Sequence, residues 1–338
     1  MAVRLKDIAD ELGVSIVTVS KALRDRPDIA KATKAKVLER VKSMNYRPNL
    51  TARSLVTGRS FLVGLVVPDL IHPFFSEIAK SLSTTLRKKE YFLVVSSSES
   101  DPKLEQDEIE HMLAHRLDSY VVASCQKDPE AFRRISDTGS PLILLDRSFA
   151  DYACNFVGVN DYRVGELATE HLIAQGRKRI AHIRGPATNV GNRRAAAYQE
   201  TMQRHGLSIP EGYVIPAGEA GGALGEERGK KAMDAVLALK PRPDALFCFN
   251  DTVAVGAMVR AFEVGVRIPR DMAIIGCGNY HYGGKLRVPL SSVDQRAAEI
   301  GRRTARMIIS LLEKPVPIRP RTVVLEPELV VRASSQLC

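Results

Sequence analysis

The chain has 338 residues, 45% of them apolar and 26% charged, with a net charge of +10. That length suits two or three domains, and that apolar content fills sizeable cores, which excludes a globally disordered chain. No apolar run approaches the roughly 18 residues of a membrane-spanning helix. Charges at Arg4, Lys6, Asp7, Asp10 and Glu11 break up any signal-peptide core. The five cysteines are scattered and form no CxxC pair, which argues against a zinc site or a disulfide framework. The expectation is a cytoplasmic protein with no membrane contact, no metal and no cofactor.

The positive charge is unevenly placed. Residues 1–60 hold 13 Lys+Arg and 6 Asp+Glu, whereas the other 278 hold 36 and 33. A compact basic head on a nearly neutral body is the footprint of a phosphate-binding module; charge alone also fits a merely solvated face.

The first 45 residues read as three short helices. Leu5, Ile8, Ala9 and Leu12 lie at helical spacing, and Gly13 breaks the pattern. A second helix opens at Ser15, a residue type that caps free backbone N–H groups, and presents Val19, Ala22 and Leu23. The third runs from about Ala32 to Ser43, with Ala35, Leu38, Val41 and Met44 expected to face the other two. A linker and hinge occupy 46–60, where 49–56 is long enough for two turns of helix; so short a helix is marginal in water by itself.

From Phe61 onward, short apolar strands alternate with amphipathic helices. Strands are predicted at 62–67, 92–96, 119–123, 142–145, 179–183, 245–248 and 273–275. Helices are predicted at 74–87, 104–114, 162–174, 193–204, 226–239, 252–264 and 295–312. Strands buried on both faces and joined by helices imply parallel α/β sheets. The count suits two similar halves, the first about 61–160 plus 294–320 and the second about 161–290 plus 321–338. Sites in such folds collect at strand C-terminal ends and in the cleft between halves.

A helix, a tight turn at Gly13 and a second helix from Ser15 describe a helix-turn-helix, in which the second helix enters the major groove while the first braces it. The stretch RLKDIADELGVSIVTVSKAL, followed by VLERVKSMNYRPNLTARSL, resembles the lactose-repressor (LacI/GalR) family of transcription regulators. The resemblance extends through GLVVPD…PFF, HLIAQGRKRIAHIRGP, FCFNDTVAVGAM, RIPRDMAIIG and PLSSVDQ, in the family's order. It implies an N-terminal all-α helix-turn-helix DNA-binding domain. It also implies an α/β body of two subdomains, like a periplasmic binding protein, with three strands crossing between them.

The resemblance places Ile16, Val17 and Lys21 where the family's recognition helix meets base edges. Lys21 suits guanine O6/N7, and Ile16 or Val17 suits a thymine methyl; the alternative for either apolar residue is the three-helix core. Family members often carry a polar residue at one of the first two places, so the Ile-Val pair departs from the usual base preference. Ser15, Thr18, Ser20, Tyr46 and Asn49 are implied as phosphate or positioning contacts, with a cap or linker role as the alternative. Leu55 matches the family's hinge leucine, a wedge for the minor groove flanked by Ala52 and Arg53; packing of hinge on body is its alternative.

The family's ligand pocket maps onto Asp69, His72, Phe74, Phe75, Ser124, Asp146, Arg147, Asn160, Arg194, Leu224, Asn250, Asp251 and Gln295. Carboxylates accepting two hydroxyls, arginine forks and an aromatic face suit a polyhydroxyl ligand. Two arginines also suit a sugar acid or sugar phosphate. The sequence departs from the family at Gly276–Tyr280, GCGNY, where many relatives carry an acid at a position matching Gly278 or Asn279. The glycine-rich run 217–226 looks longer than usual. The implied function is a homodimeric regulator on a near-palindromic operator, a repressor or, alternatively, an activator, switched by a small polar effector such as a sugar or sugar derivative. An α/β enzyme would need a glycine fingerprint after the first strand, and VVPDLIHPFF contains none. No catalytic residue is assigned. A transport solute-binding protein would lack the basic head.

Overall fold

The computed structural model describes residues 3–23, 25–46, 54, 57–149, 151–218, 225–313 and 319–336. The chain divides into two compact units, Met1–Ser60 and Phe61–Cys338.

In the first unit, helix α1 (Leu5–Leu12) starts where Asp7 accepts the Arg4 N–H at 2.8 Å. It ends at Gly13, whose φ of +63° is a backbone conformation that costs glycine nothing. The Val14 N–H then returns to the Ala9 carbonyl at 3.0 Å, fixing the tight turn. Ser15 caps α2 (Ile16–Leu23) by accepting the Thr18 N–H at 3.0 Å. Helix α3 (Lys31–Ser43) closes a core of Ile8, Ala9, Val19, Ala22 and Val37. Full burial of a valine or isoleucine contributes about 1.5–3 kcal/mol, so Ile8, Val19 and Val37 carry most of the head's stability. Of the expected α3 face, Val41 and Met44 pack on the core, but Ala35 and Leu38 are exposed and Val37 is buried in their place. The inward positions Thr33, Val37, Val41 and Met44 keep helical spacing and satisfy the packing equally well.

The second unit holds two six-stranded sheets. In the first half the elements are β1 (Leu62–Val67), α4 (Pro73–Arg87), β2 (Phe92–Ser97), α5 (Pro102–Ala114), β3 (Ser119–Val122), α6 (Arg133–Asp137), β4 (Leu142–Leu145) and β5 (Asn155–Val159). The second half supplies α7 (Asp161–Ala174), β6 (Ile180–Arg184), α8 (Asn189–Arg204), β7 (Val214–Pro216), α9 (Gly225–Ala238), β8 (Ala245–Cys248), α10 (Asp251–Glu263), β9 (Ala273–Cys277) and β10 (Ser291–Asp294). Helix α11 (Ala297–Glu313) and strands β11 (Thr322–Leu325) and β12 (Glu328–Val330) follow.

The first sheet runs β11-β5-β4-β3-β1-β2 and is parallel throughout. The second runs β12-β10-β9-β8-β6-β7, with only β12 antiparallel. Each central strand is buried on both faces: Val63, Leu65 and Val67 of β1 face one core, and Val66 faces another. The chain passes between halves three times, after β5, after β10 and between β11 and β12, so strand C-terminal ends of both sheets converge on one cleft.

Two expectations are corrected. Residues 321–338 were assigned to the second half, but β11 pairs with β5 on the edge of the first sheet, Thr322 opposite Phe156. Strands β5, β7 and β10 were not predicted. β5 carries Asn155 and Gly158, β7 is a three-residue edge, and β10 opens with two serines. Those serines are fully buried yet partnered: Ser291 Oγ donates to the Arg332 carbonyl at 2.8 Å and Ser292 Oγ to Asp251 at 2.7 Å. A satisfied hydroxyl sits in a core that polarity alone would exclude.

Candidate functional site

The head presents one exposed apolar pair. Ile16 and Val17, at the start of α2, are 46% and 62% exposed, whereas Val19 and Ala22 on the same helix are buried. The helix therefore turns its inner face to the core without using Ile16 or Val17, which removes the core-filling alternative for both. Thr18 and Ser15 are tied together, Oγ to Oγ1 at 2.9 Å, in the capping turn. Ser20 is half-buried. Lys21 is exposed, and its Nζ lies 2.6 Å from Asp28. Tyr46 packs against the head's core, which raises its phenol by burial. Asn49, Ala52, Arg53 and Leu55 lie outside the described residues, as does most of the expected hinge helix.

In the body, a cavity of about 340 Å³ opens at the strand ends, between the two sheets. It brings together Asp69, His72, Phe74, Phe75, Asp146, Arg147, Arg194, Asn250 and Gln295. Of the remaining predicted pocket residues, those described sit elsewhere. Ser124 is buried, donates to Glu105 at 2.6 Å and lines a neighbouring cavity. Asn160 caps α7 by accepting the Arg163 N–H and donates to Glu326. Leu224 lies outside the described residues, as does most of the glycine-rich run.

Asp251 is a correction. It is fully buried at the start of α10, and its two oxygens accept from the Tyr280 N–H at 3.0 Å and the Ser292 hydroxyl at 2.7 Å. Gly276 leaves it room: a Cβ there would stand 2.2 Å from Asp251 Oδ1. Asp251 is thus a clamp that ties α10 to β10 and to the Tyr280 loop, and it does not line the cavity. Burial pushes its carboxyl up to about 6.

Arg194 reaches the cavity but is already engaged. It is 2% exposed; Nε and Nη2 donate to Asp161 Oδ1 at 2.9 and 2.7 Å, and Nη1 donates to the Phe249 carbonyl at 2.9 Å. Desolvation opposes its charge, but the acidic groups around it, Asp161 and Asp146 among them, hold it cationic. Burial raises both carboxyls. Arg194 opposes the rise at Asp161, while Asp146, 9% exposed, is pushed up to about 6 by burial and by the Asp161 charge. Asp161, which sequence reasoning did not name, is the partner that fixes Arg194.

His72 has a defined tautomer. Asn250 Oδ1 accepts from the Val253 N–H at 2.9 Å, so its amide nitrogen is the atom that faces His72 Nε2 at 3.2 Å. Nε2 is therefore an acceptor and Nδ1 carries the hydrogen. Burial pushes His72 down to about 4, so it is neutral near pH 7. Among the described residues, the buried His72 Nδ1, Tyr280 Oη and Tyr282 Oη have no hydrogen-bond partner. These atoms are covered yet unpartnered, and their side chains line the cavity, so a polar ligand reached by a small side-chain shift would satisfy them.

The two tyrosines are the main residues that sequence reasoning missed. Tyr280 makes an edge contact with His72, ring centroids 5.7 Å apart, and another with Tyr282 at 5.9 Å. The departure at GCGNY explains them: Gly278 has φ +132°, and a Cβ there would stand 2.4 Å from the Tyr280 ring. An acidic side chain at 278 and the Tyr280 ring are mutually exclusive. Asn279 is held by Arg332 at 2.6 Å and by Asp294 at 3.0 Å. At this wall the chain presents the aromatic rings of Tyr280 and Tyr282. Phe249, Glu226 and Arg228 also line the cavity.

Residues 4–49 match the model for bacterial regulatory proteins of the lacI family, and residues 169–335 match the periplasmic binding protein-like domain. The repressor PurR of Actinobacillus pleuropneumoniae serotype 3 is 27% identical over 98% of this chain and 97% of its own. The ribose operon repressor of Escherichia coli K12 is 29% identical over 98% of this chain and 99% of its own. A solved regulatory protein of the LacI family from Chloroflexus aggregans is 30% identical, covering 81% of this chain and 98% of that one, with a TM-score of 0.69.

Proposed function

Because this chain belongs to the lacI family of bacterial regulatory proteins, we propose that it is a repressor of transcription. It binds a near-palindromic operator as a homodimer and releases or grips it when a small polar effector occupies the cleft of the body. The observation that carries the effector half is the inner cavity, whose aromatic lining includes His72, Tyr280 and Tyr282, each with a buried polar atom that has no partner. The DNA half rests on the exposed Ile16 and Val17 at the start of a capped second helix, in a head with seven more basic than acidic residues (13 against 6).

The chemistry favours a ring with hydroxyl groups, a sugar or sugar derivative. C–H faces of such a ring lie on aromatic side chains, while Asp146 accepts hydroxyls and His72 Nδ1–H donates. Asp69 and Gln295 add polar atoms to the same wall. The buried Asp161–Arg194 pair lies close enough for its charges to act on Asp146. The relatives' names, the HTH-type transcriptional repressor PurR and the ribose operon repressor, fit the repressor sense.

The ligand shifts operator affinity only through different affinities for two arrangements of the halves. The three crossings make such a hinge possible, because the cleft walls belong to separate sheets. The test is selection of duplexes from a random pool by the purified full chain, followed by anisotropy titration. A two-fold symmetric consensus bound tightly by the parent and at least tenfold more weakly by Val17→Asp supports the reading. Equal binding of all duplexes removes it.

A further inference from the structure

A second cavity, about 870 Å³, adjoins the inner one; Ser100, Arg147 and Pro186 line both. Its character is different. Three cations face it, Lys127 and Arg147 from the first half and Arg184 from the second, and among the described residues no carboxylate lines it. Nor is any of the three within ion-pair distance of a carboxylate there; Arg147 donates to the Ser124 carbonyl at 2.8 Å and Arg184 to Asn192 at 2.9 Å. Thr188 and Asn189 also bring the first turn of α8, the positive end of a sixteen-residue helix, to the same wall.

We propose that this outer chamber takes an oxyanion of the effector, a carboxylate or a phosphate, while its ring lies in the inner aromatic chamber. The inference rests on the effector reading above and narrows it from a polar ring to an anionic, elongated one. The geometry supplies a reason for switching as well. Arg184 and the Arg147–Lys127 pair come from opposite halves, so their like charges oppose closure until an anion stands between them. The mouth is otherwise bridged by Asn189 Nδ2 to Ser148 Oγ, a long contact of 3.4 Å between halves. An anion binding both sides is bound better by the closed arrangement, which is the differential affinity that a switch requires.

The test is a thermal-shift and calorimetric comparison on the full chain with matched panels. These are neutral hexoses, pentoses, disaccharides and nucleosides against their phosphates, with hexuronates and aldonates as the carboxylate arm. The parent is expected to bind at least one anionic member tenfold or more tightly than its neutral counterpart, with an affinity that falls as salt rises. Arg184→Gln is expected to erase that preference, and the exposed Lys127→Gln, which cannot disturb folding, to weaken it several-fold. A phosphate hit and a carboxylate hit distinguish the two oxyanions. A neutral compound that binds as tightly as its anionic form, and equally well to Arg184→Gln, overturns the inference while leaving the effector cleft standing. No stabilisation by any member, neutral or anionic, counts against both.

Discussion

Arg194 and Asp161 form a buried ion pair in which two guanidinium nitrogens, Nε and Nη2, lie 2.9 and 2.7 Å from one carboxylate oxygen. The pair joins α8 to the start of α7 directly after the first crossing between halves. Its charges are bought out of water at considerable cost, so its loss exposes that cost. Arg194→Met leaves Asp161 and Asp146 buried without their cation and is expected to lower stability by about 3–5 kcal/mol. Chemical denaturation reads this, and the double variant Arg194→Met/Asp161→Leu is expected to recover a large part. A loss below about 1 kcal/mol in the single variant would mean that the pair is not uniquely satisfied.

The same helix pair depends on Gly165. A Cβ there would stand 2.4 Å from the Arg194 carbonyl oxygen and 2.9 Å from Ala197 Cβ. Backbone cannot step aside as a flexible side-chain tip can, so Gly165→Ala is expected to cost about 1–3 kcal/mol through overpacking. It should also weaken effector binding, because the Arg194 backbone shifts with α8. Unchanged melting temperature and unchanged affinity together would show that α7 and α8 have slack.

Asp146 gives a pH dependence with a definite sign. Its carboxyl is raised from 3.8 to about 6, so between those values the native state holds more protons than the unfolded state. Its contribution to stability therefore falls as pH rises through that window, and the cost is fully present above about 6. His72 acts in the opposite sense: lowered from 6.5 to about 4, it makes the native state bind fewer protons, so stability rises with pH across its window. Asp146→Asn removes the first effect alone. The melting temperature of this variant relative to the parent is expected to climb between about pH 4 and pH 6 and then level off. A difference that stays flat or shrinks over that range contradicts a protonated Asp146.

In the head, Lys21 is held 2.6 Å from Asp28, and that partner lowers the Asp28 carboxyl. Both are exposed, so the pair contributes little to folding. In the proposed DNA-binding reading, it ties up a cation of the second helix and sets a negative charge beside it. Asp28→Asn is expected to tighten operator binding several-fold at low salt and to steepen its decline with salt, with the melting temperature unchanged. Weaker binding by this variant would assign Asp28 a positioning role in the head.

Much of the architecture was legible because periodicity and burial agree. β1, β4 and β8 are continuous apolar runs, and the helices of both halves carry one apolar stripe. What escaped was local chemistry. β10 hides behind Ser291 and Ser292, whose hydroxyls find partners only once Asp251 and Arg332 arrive from elsewhere in the chain. Where a residue type suits both a ligand and an internal partner, the sequence does not tell which duty the side chain takes. Asp251 matches a pocket position that the family resemblance implies, yet its oxygens are used by Tyr280 and Ser292, a fact of tertiary structure. Tyr280 was passed over because its place in the wall depends on the missing Cβ at Gly278. For Leu38, the error was a helix face misjudged by one position, the least secure inference from so polar a helix.

The central claim is that cleft and head are coupled through one equilibrium, and coupling of that kind is reciprocal. The most direct measurement takes the compound that stabilises the protein most and titrates it by calorimetry into free protein and into the protein saturated with its selected operator. The factor by which operator changes the compound's affinity should equal the factor by which the compound changes operator affinity, either both tighter or both weaker. Identical effector affinity in the free and operator-bound protein would contradict the account and leave a DNA-binding head and a ligand-binding body that share a chain without sharing a switch.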